Sequence, residues 1–371
     1  MPVSRPADWP RRFEIMAIGR CTSLPRQRRS SPRCASSCAR TICCFSWARA
    51  TSVASPRVSS QTQREGPTID PRLKDRLKRL LGKRAAFDEP MSKHTSLRVG
   101  GPAEALALPE SRAELREVLE LCRKHEVPVR ILGAGFNTLV PDAGLRAAVV
   151  RLHGLRKLAR SDDGRVLAEA GASHSRVTRF CADEGLAGLE FAVGIPGTVG
   201  GWLAMNAGIA EREMRDVVEC IEFLDPATGK CQEMRAEQLR FRYRALEVPA
   251  DVVLLKAHFR TEPSDPEEVR ERMRSFLADR RETQPIDQLS CGSVFKNPPG
   301  DYAGRLIDAA GLKGSRVGGA EISTVHAGFI INRGDATATD VLQLMDQARA
   351  EVLRRFQIEL EPEVRVWGEE L

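Results

Sequence analysis

The sequence predicts a multi-domain α+β fold, and three observations predict it. At 371 residues with ordinary apolar content, the chain is long enough for two or three domains around a sizeable core. Segments with helical spacing of apolar residues are interspersed with short strand-like runs, including a hairpin-like pair. Two glycine-rich loops, near Gly133 and Gly200, punctuate these segments.

Residues 1–65 come first. They are rich in Arg, Ser, Pro and Cys, lack helical or strand periodicity, and are expected to be disordered. The composition suits a start site assigned too far upstream, the favoured reading, or a transit peptide, or a nucleic-acid-binding arm. The stretch 41–54 is too short, too polar and too interrupted by Arg49 to span a membrane. The basic charge belongs to this leader: residues 1–60 hold eleven Arg against Asp8 and Glu14, a net of +9, so a whole-chain +7 leaves the remainder near −2. That remainder is unlike a basic nucleic-acid footprint. Half of the ten Cys also lie in the leader. The others (Cys122, Cys181, Cys220, Cys231 and Cys291) lack metal-ligand spacing, so neither disulfides nor a metal site is expected.

Order is expected from Asp70, where Leu73, Leu77, Leu80 and Leu81 mark a basic amphipathic helix. A β-α-β unit follows. Its helix opens on a Ser111/Glu114 capping box and carries Leu115, Val118, Leu119 and Cys122 on one face. Strands are expected at 129–132 and 147–152. A second block holds a strand at 166–170, a helix ended by Gly185, the loop 188–208, a hairpin of 217–224 with 231–234, and a strand at 252–259. The next helix starts at Asp265, with Pro266 and Glu268 completing its start signal. A third block offers the run 291–298, a helix at 302–310, a strand at 328–332 and a long helix at 340–356. In a last strand, 358–366, Glu359, Glu361 and Glu363 alternate onto one face.

Gly133, Ala134, Gly135, Phe136, Asn137 and Thr138 follow a strand directly, where glycine allows close approach of backbone N–H groups to a phosphate. The third glycine and following helix of a dinucleotide fingerprint are missing, and two glycines in a turn also suit a purely structural role. The second loop is richer, with Gly194, Ile195, Pro196, Gly197, Thr198, Gly200, Gly201, Asn206 and Gly208. A tight crossing would explain some of these glycines but not the polar Thr198 and Asn206, so anion or cofactor binding is the better reading. Ser293, Lys296 and Asn297 place a hydroxyl, a cation and an amide within five residues. No base is spaced to make Ser293 a nucleophile, and a proton-donor or hydrogen-bonding role fits better. Arg242 and Arg244 suit carboxylate or phosphate binding, or merely a solvated surface. His326 reads by default as a satisfied, partly buried histidine.

In this order the segments closely resemble the UDP-N-acetylenolpyruvoylglucosamine reductase family from about residue 70 onward. The marks are the run His94 to Ala103, both glycine loops, Tyr243-Arg244, Arg281 with Gln284-Pro285, Gly292 to Pro298, Leu306-Ile307, Gly311 to Gly314 and Leu360 to Arg365. The resemblance implies a vanillyl-alcohol-oxidase/PCMH-type FAD-binding region of two α+β subdomains, 66–155 and 156–280. A C-terminal α+β substrate domain, 281–356, follows, and 357–371 returns to the second subdomain. It also implies non-covalent FAD, NADPH as co-substrate and UDP-N-acetylenolpyruvoylglucosamine as substrate. The expected setting is a cytoplasmic monomer working in peptidoglycan synthesis, with no membrane and no nucleic acid for the folded part.

By the same resemblance both glycine loops contact FAD, and Tyr243, Gln284, Lys296 and Asn297 contact substrate. Ser293 donates a proton, Arg244 supplies fixed positive charge and Glu363 orients the substrate carboxylate. Phe136, Trp202 and Val325 depart from the residues usual in the family. The short path from Arg244 to the next strand suits its shorter subtype. The runner-up is another oxidase or dehydrogenase on the same flavin scaffold, and a binder without catalysis is the reading from a different class.

Overall fold

The computed structural model describes residues 69–209, 212–249 and 251–368, so the expectations for residues 1–65 lie outside it. Helix α1, Pro71–Leu81, starts where the Asp70 carboxylate accepts from the Arg72 N–H, and it buries Leu73, Leu77 and Leu81. The Ser111 hydroxyl caps α2, Arg112–Lys124, by accepting from the Glu114 N–H. The capping box itself does not close. Arg84 takes the Glu114 carboxylate with two N–H···O bonds of 2.5 and 2.7 Å, and this pair holds that carboxyl down to about 2.

The two helices pack on a four-stranded sheet ordered Ala85–Pro90, Pro102–Ala107, Leu145–Arg151, Val129–Leu132. Its first pair is antiparallel and the other two are parallel. Leu73, Leu77, Leu115, Val118, Ala148 and Val150 fill the space between the layers. The parallel register sets Leu132 beside Arg151, so the carboxyl ends of two strands lie together where the chain enters the Gly133 loop.

A five-stranded antiparallel sheet forms the second layer, ordered Lys230–Arg235, Val218–Asp225, Val253–Phe259, Val166–Glu169, Leu158–Arg160. The hairpin expected of 217–224 with 231–234 is there, and in its turn the Asp225 carboxylate accepts from the Ala227 N–H. Val253, Leu255, Ala257 and Phe259 point inward in strict alternation. Helices α3 (His174–Asp183) and α4 (Val199–Ala204) cover this core together with Phe191 and Trp202. Helix α5, Pro266–Thr283, is capped by Asp265 alone, because Glu268 turns to Ser264 and Arg272.

The third layer is an antiparallel sheet ordered Ser290–Ser293, Phe329–Asn332, Ala320–Ile322, Arg316–Val317, covered by α6 (Ala303–Ala309) and α7 (Ala338–Phe356). Helix α7 has a closed Thr337/Asp340 capping box and ends at Gln357, in the left-handed region at φ 56°.

The last segment corrects two expectations. Instead of a strand over 358–366, only Arg365–Val366 is extended and paired, with a single bridge from Phe295 to Pro362 upstream of it. Pro362 has no N–H to continue a ladder. The pairing of Arg365–Val366 is with Thr138–Leu139, parallel, so this stretch returns to the region 66–155 and not to 156–280.

Candidate active site

The two glycine loops, far apart in sequence, touch. A Cβ built on Gly133 would lie 2.6 Å from the Thr198 hydroxyl, and one on Gly135 would lie 2.0 Å from the His94 carbonyl. At φ +73°, Gly135 also uses a conformation that glycine alone adopts freely. The run His94 to Leu97 clamps this loop. Both the N–H and the hydroxyl of Ser96 donate to the Gly135 carbonyl, and the hydroxyl also donates to the Ser290 carbonyl at 2.7 Å. Trp202 is buried, and its indole N–H donates to the Ile195 carbonyl, which pins α4 to the second loop.

Between the loops opens a cavity of about 1390 Å³, walled by all three sheets. It is larger than the roughly 300–1,000 Å³ of an ordinary small-molecule site, enough for a dinucleotide and a second ligand. Gly133 through Thr138, Gly194 through Thr198, Gly200, Gly201 and Gly208 all line it. Asn206 does not. It is fully buried, donating to the Glu213 carboxylate at 2.8 Å and the Arg242 carbonyl at 3.1 Å while accepting from the Arg215 N–H. The polar character read as a ligand contact is spent inside the protein, holding α4 against the hairpin of Arg240–Arg242 with Ala245–Glu247.

That hairpin carries Tyr243 and Arg244 at its tip. Arg244 sits at φ 57° and its guanidinium lies 5.0 Å from the Tyr243 ring centroid. Its Nε is 3.2 Å from the Glu363 carboxylate. Glu363 reaches the site because its N–H donates to the Val294 carbonyl, next to Ser293. A β-bulge between Ser290 and Ser293, with Gly292 at φ 91°, turns Ser293 toward the cavity. In this state the Ser293 hydroxyl donates to the Phe295 carbonyl at 2.9 Å. Burial pushes the Glu363 carboxyl above the usual carboxylate range, opposed by the charges of Arg244 and Lys296.

Tyr243, Gln284 and Asn297 line the cavity as expected of substrate contacts, but Lys296 does not. Its ammonium is paired with Glu361 across the Phe295–Pro362 bridge, so it acts on the site only through its field. Glu359 pairs with Arg349, so Glu359, Glu361 and Glu363 have different partners and form no common acidic face. Arg242 likewise pairs with Glu247 and lies outside the cavity wall.

The arginine that lines the cavity near Gln284 is Arg280, which donates to the Gln284 side-chain amide oxygen; Arg281, singled out by sequence, does not line it. The spacing of four residues from Arg280, in the last turn of α5, to its C-cap Gln284 was the available signal. His174, Arg151, Tyr302, Arg365 and His326 also line the wall and were not anticipated as site residues. The Gly328 N–H donates to His326 Nδ1, and burial pulls the pKa of this ring down.

Whether these residues fit a dinucleotide is tested by the cavity's cations. Arg151, Arg280 and Arg365 have no carboxylate within salt-bridge distance among the described residues, and burial lowers the pKa of each. The Nε atoms of Arg151 and Arg280 are buried without a hydrogen-bond partner. Arg151 and Arg280, half-buried beside the two glycine loops and without a carboxylate partner, fit an anionic, phosphate-bearing ligand.

Comparison with known proteins agrees with this geometry. Residues 103–235 match the family model of an FAD binding domain, and residues 284–367 match that of the C-terminal domain of UDP-N-acetylenolpyruvoylglucosamine reductase. The chain is 46% identical to the UDP-N-acetylenolpyruvoylglucosamine reductase of Rubrobacter xylanophilus, over 77% of this chain and 96% of that one. It is 42% identical to the enzyme of the same name from Caldanaerobacter subterraneus, over 80% and 98%. A crystal structure of the Thermus caldophilus reductase superposes with a TM-score of 0.66 at 36% identity, covering 76% of this chain and 98% of that one.

Proposed function

The chain belongs to the UDP-N-acetylenolpyruvoylglucosamine reductase family, and from that premise we propose that it is an FAD-dependent enzyme using NADPH to reduce UDP-N-acetylenolpyruvoylglucosamine to UDP-N-acetylmuramate for peptidoglycan. One observation carries the reading: Ser293, Arg244 and Glu363 meet on the wall of the cavity that both glycine loops also line. Gly133 to Thr138, Gly194 to Thr198, Gly200, Gly201 and Gly208 would hold the FAD. When bound, FAD supplies the hydride carrier between NADPH and the vinyl group of the substrate.

Hydride addition to the terminal vinyl carbon leaves carbanion character on the adjacent carbon and negative charge spread into its carboxylate. Ser293 is the group to quench the former. Its hydroxyl hydrogen, held by the Phe295 carbonyl in the resting geometry, turns to the substrate carbon and is transferred there. Arg244 supplies a fixed positive charge for the carboxylate as it becomes enolate-like, already oriented by the hairpin turn and by Glu363. Glu363, whose pKa is raised by burial, keeps its proton to higher pH than an ordinary carboxyl and can donate it to the substrate carboxylate. Tyr243, Gln284 and Asn297, which line the same cavity, would hold the rest of the nucleotide sugar.

The reading is tested by separating the two half-reactions. Ser293→Ala is expected to keep flavin reduction by NADPH while slowing reoxidation by the enolpyruvyl nucleotide by orders of magnitude in stopped-flow absorbance. Equal loss of both halves would show that Ser293 is not the proton donor. NADPH consumption that does not depend on the enolpyruvyl nucleotide would favour another dehydrogenase on the same scaffold.

A further inference from the structure

We propose that Arg151 is a phosphate-binding residue for the dinucleotide cofactor, the cation facing the loop Gly133–Gly135. This rests on the reading of the chain as an FAD enzyme and goes beyond it by naming a residue that the glycine-loop signature does not contain.

Three observations converge on Arg151. It is the last residue of its strand and sits in register with Leu132, the residue before Gly133, so it stands at the mouth of the loop at the carboxyl ends of two parallel strands. In open sheets with parallel strands, ligands bind at such ends. The second tie is from the other side: His94, whose carbonyl packs on Gly135, holds an Arg151 terminal nitrogen at 3.2 Å from its Nδ1. Arginine only donates, so Nδ1 accepts and Nε2–H is left to donate to Glu89 at 3.1 Å. This contact fixes one edge of the guanidinium.

The third observation is what that contact leaves over. Arg151 Nε is buried with no partner, and no carboxylate pairs with the residue among the described residues, although it lines the cavity. Glu89, the nearby acid, is engaged by His94 and Lys93. A half-buried guanidinium with no counter-charge is costly, and a diphosphate lying on the backbone N–H groups of Gly133–Gly135 supplies that charge. Arg280 and Arg365 share the lack of a carboxylate, but neither is in register with the residue that enters the loop; Arg365 pairs with Thr138 at its far end.

Full-length wild-type, Arg151→Gln and Arg151→Lys proteins, stripped of flavin, would be titrated with FAD and with riboflavin, which has no phosphate, following flavin fluorescence. Arg151→Gln is expected to weaken FAD binding about ten- to hundredfold and to leave riboflavin within twofold, so that the preference for FAD shrinks. Arg151→Lys is expected to recover part of it. FAD binding by Arg151→Gln within twofold of wild type, or equal losses for FAD and riboflavin, overturns the proposal while leaving the functional reading intact. Failure of the wild type to bind FAD overturns both. If Arg151→Gln does not fold, the wild-type Arg151 Nε–H resonance, assigned by its loss in Arg151→Lys, must shift on adding FAD and not riboflavin; no shift with FAD overturns the proposal.

Discussion

At the scale of single residues, Glu363 shows how position decides chemistry. Its folded pKa lies above the ordinary value because burial disfavours the carboxylate. The native state therefore keeps a proton that the unfolded chain has already lost, and the stability drawn from this group is full below the ordinary carboxylate value and lost as pH rises through the raised one. Glu363→Gln, fixed neutral, is expected to gain on the wild type as pH increases from about 4 to about 8, read as the difference between their melting temperatures. A difference that stays flat with pH would mean that Arg244 cancels the burial cost. Ser293, Arg244 and Glu363 were legible only as members of a recurring pattern. Nothing in the letters around Asn206 or Lys296 said that their polar atoms would be consumed by Glu213 and Glu361, because side-chain direction after a turn or a bulge is a tertiary outcome.

At the scale of elements, local chemistry was readable wherever it depended on near neighbours. The leucines of α1, the Ser111 cap, the hairpin of 217–224 with 231–234 and the strand at 252–259 all appear where they were expected. Expectations failed where a distant partner intervened, as when Arg84 captured the Glu114 side chain that the capping box was to use. This pair has its own signature. With its folded pKa at about 2, Glu114 contributes stability that is present above the ordinary carboxylate value of 4.5 and lost as pH falls toward 2. Glu114→Gln is expected to cost about 1–3 kcal/mol near neutrality by urea unfolding, and the gap to wild type should close on acidification. The strand expected over 358–366 failed for a comparable reason: alternation was real, but Pro362 and the lack of a continuous neighbour leave only Arg365–Val366 paired.

At the scale of the molecule, three sheets share one cavity, and on its wall the half-buried Arg151 and Arg280 have no carboxylate partner among the described residues. Removing the cofactor should therefore weaken the protein as a whole. FAD at about 100 times its Kd is expected to add about 2.7 kcal/mol, seen as a concentration-dependent rise in melting temperature, and no rise would count against an FAD site here. The α+β class was legible from periodicity, whereas the convergence of three layers was not, because it depends on pairings such as Leu132 with Arg151 and Thr138 with Arg365. Asn137 stands where those layers cross. Its N–H donates to the Cys291 carbonyl, its side-chain amide to the Glu363 carbonyl, and its own carbonyl accepts from Arg365, all from a left-handed φ of 52°. A substitution at this position leaves both backbone bonds in place but removes the amide bond to Glu363 and, for most side chains, strains the left-handed backbone. Exchange of this one side chain is thus felt in three layers at once, through a single lost amide bond and a single strained turn.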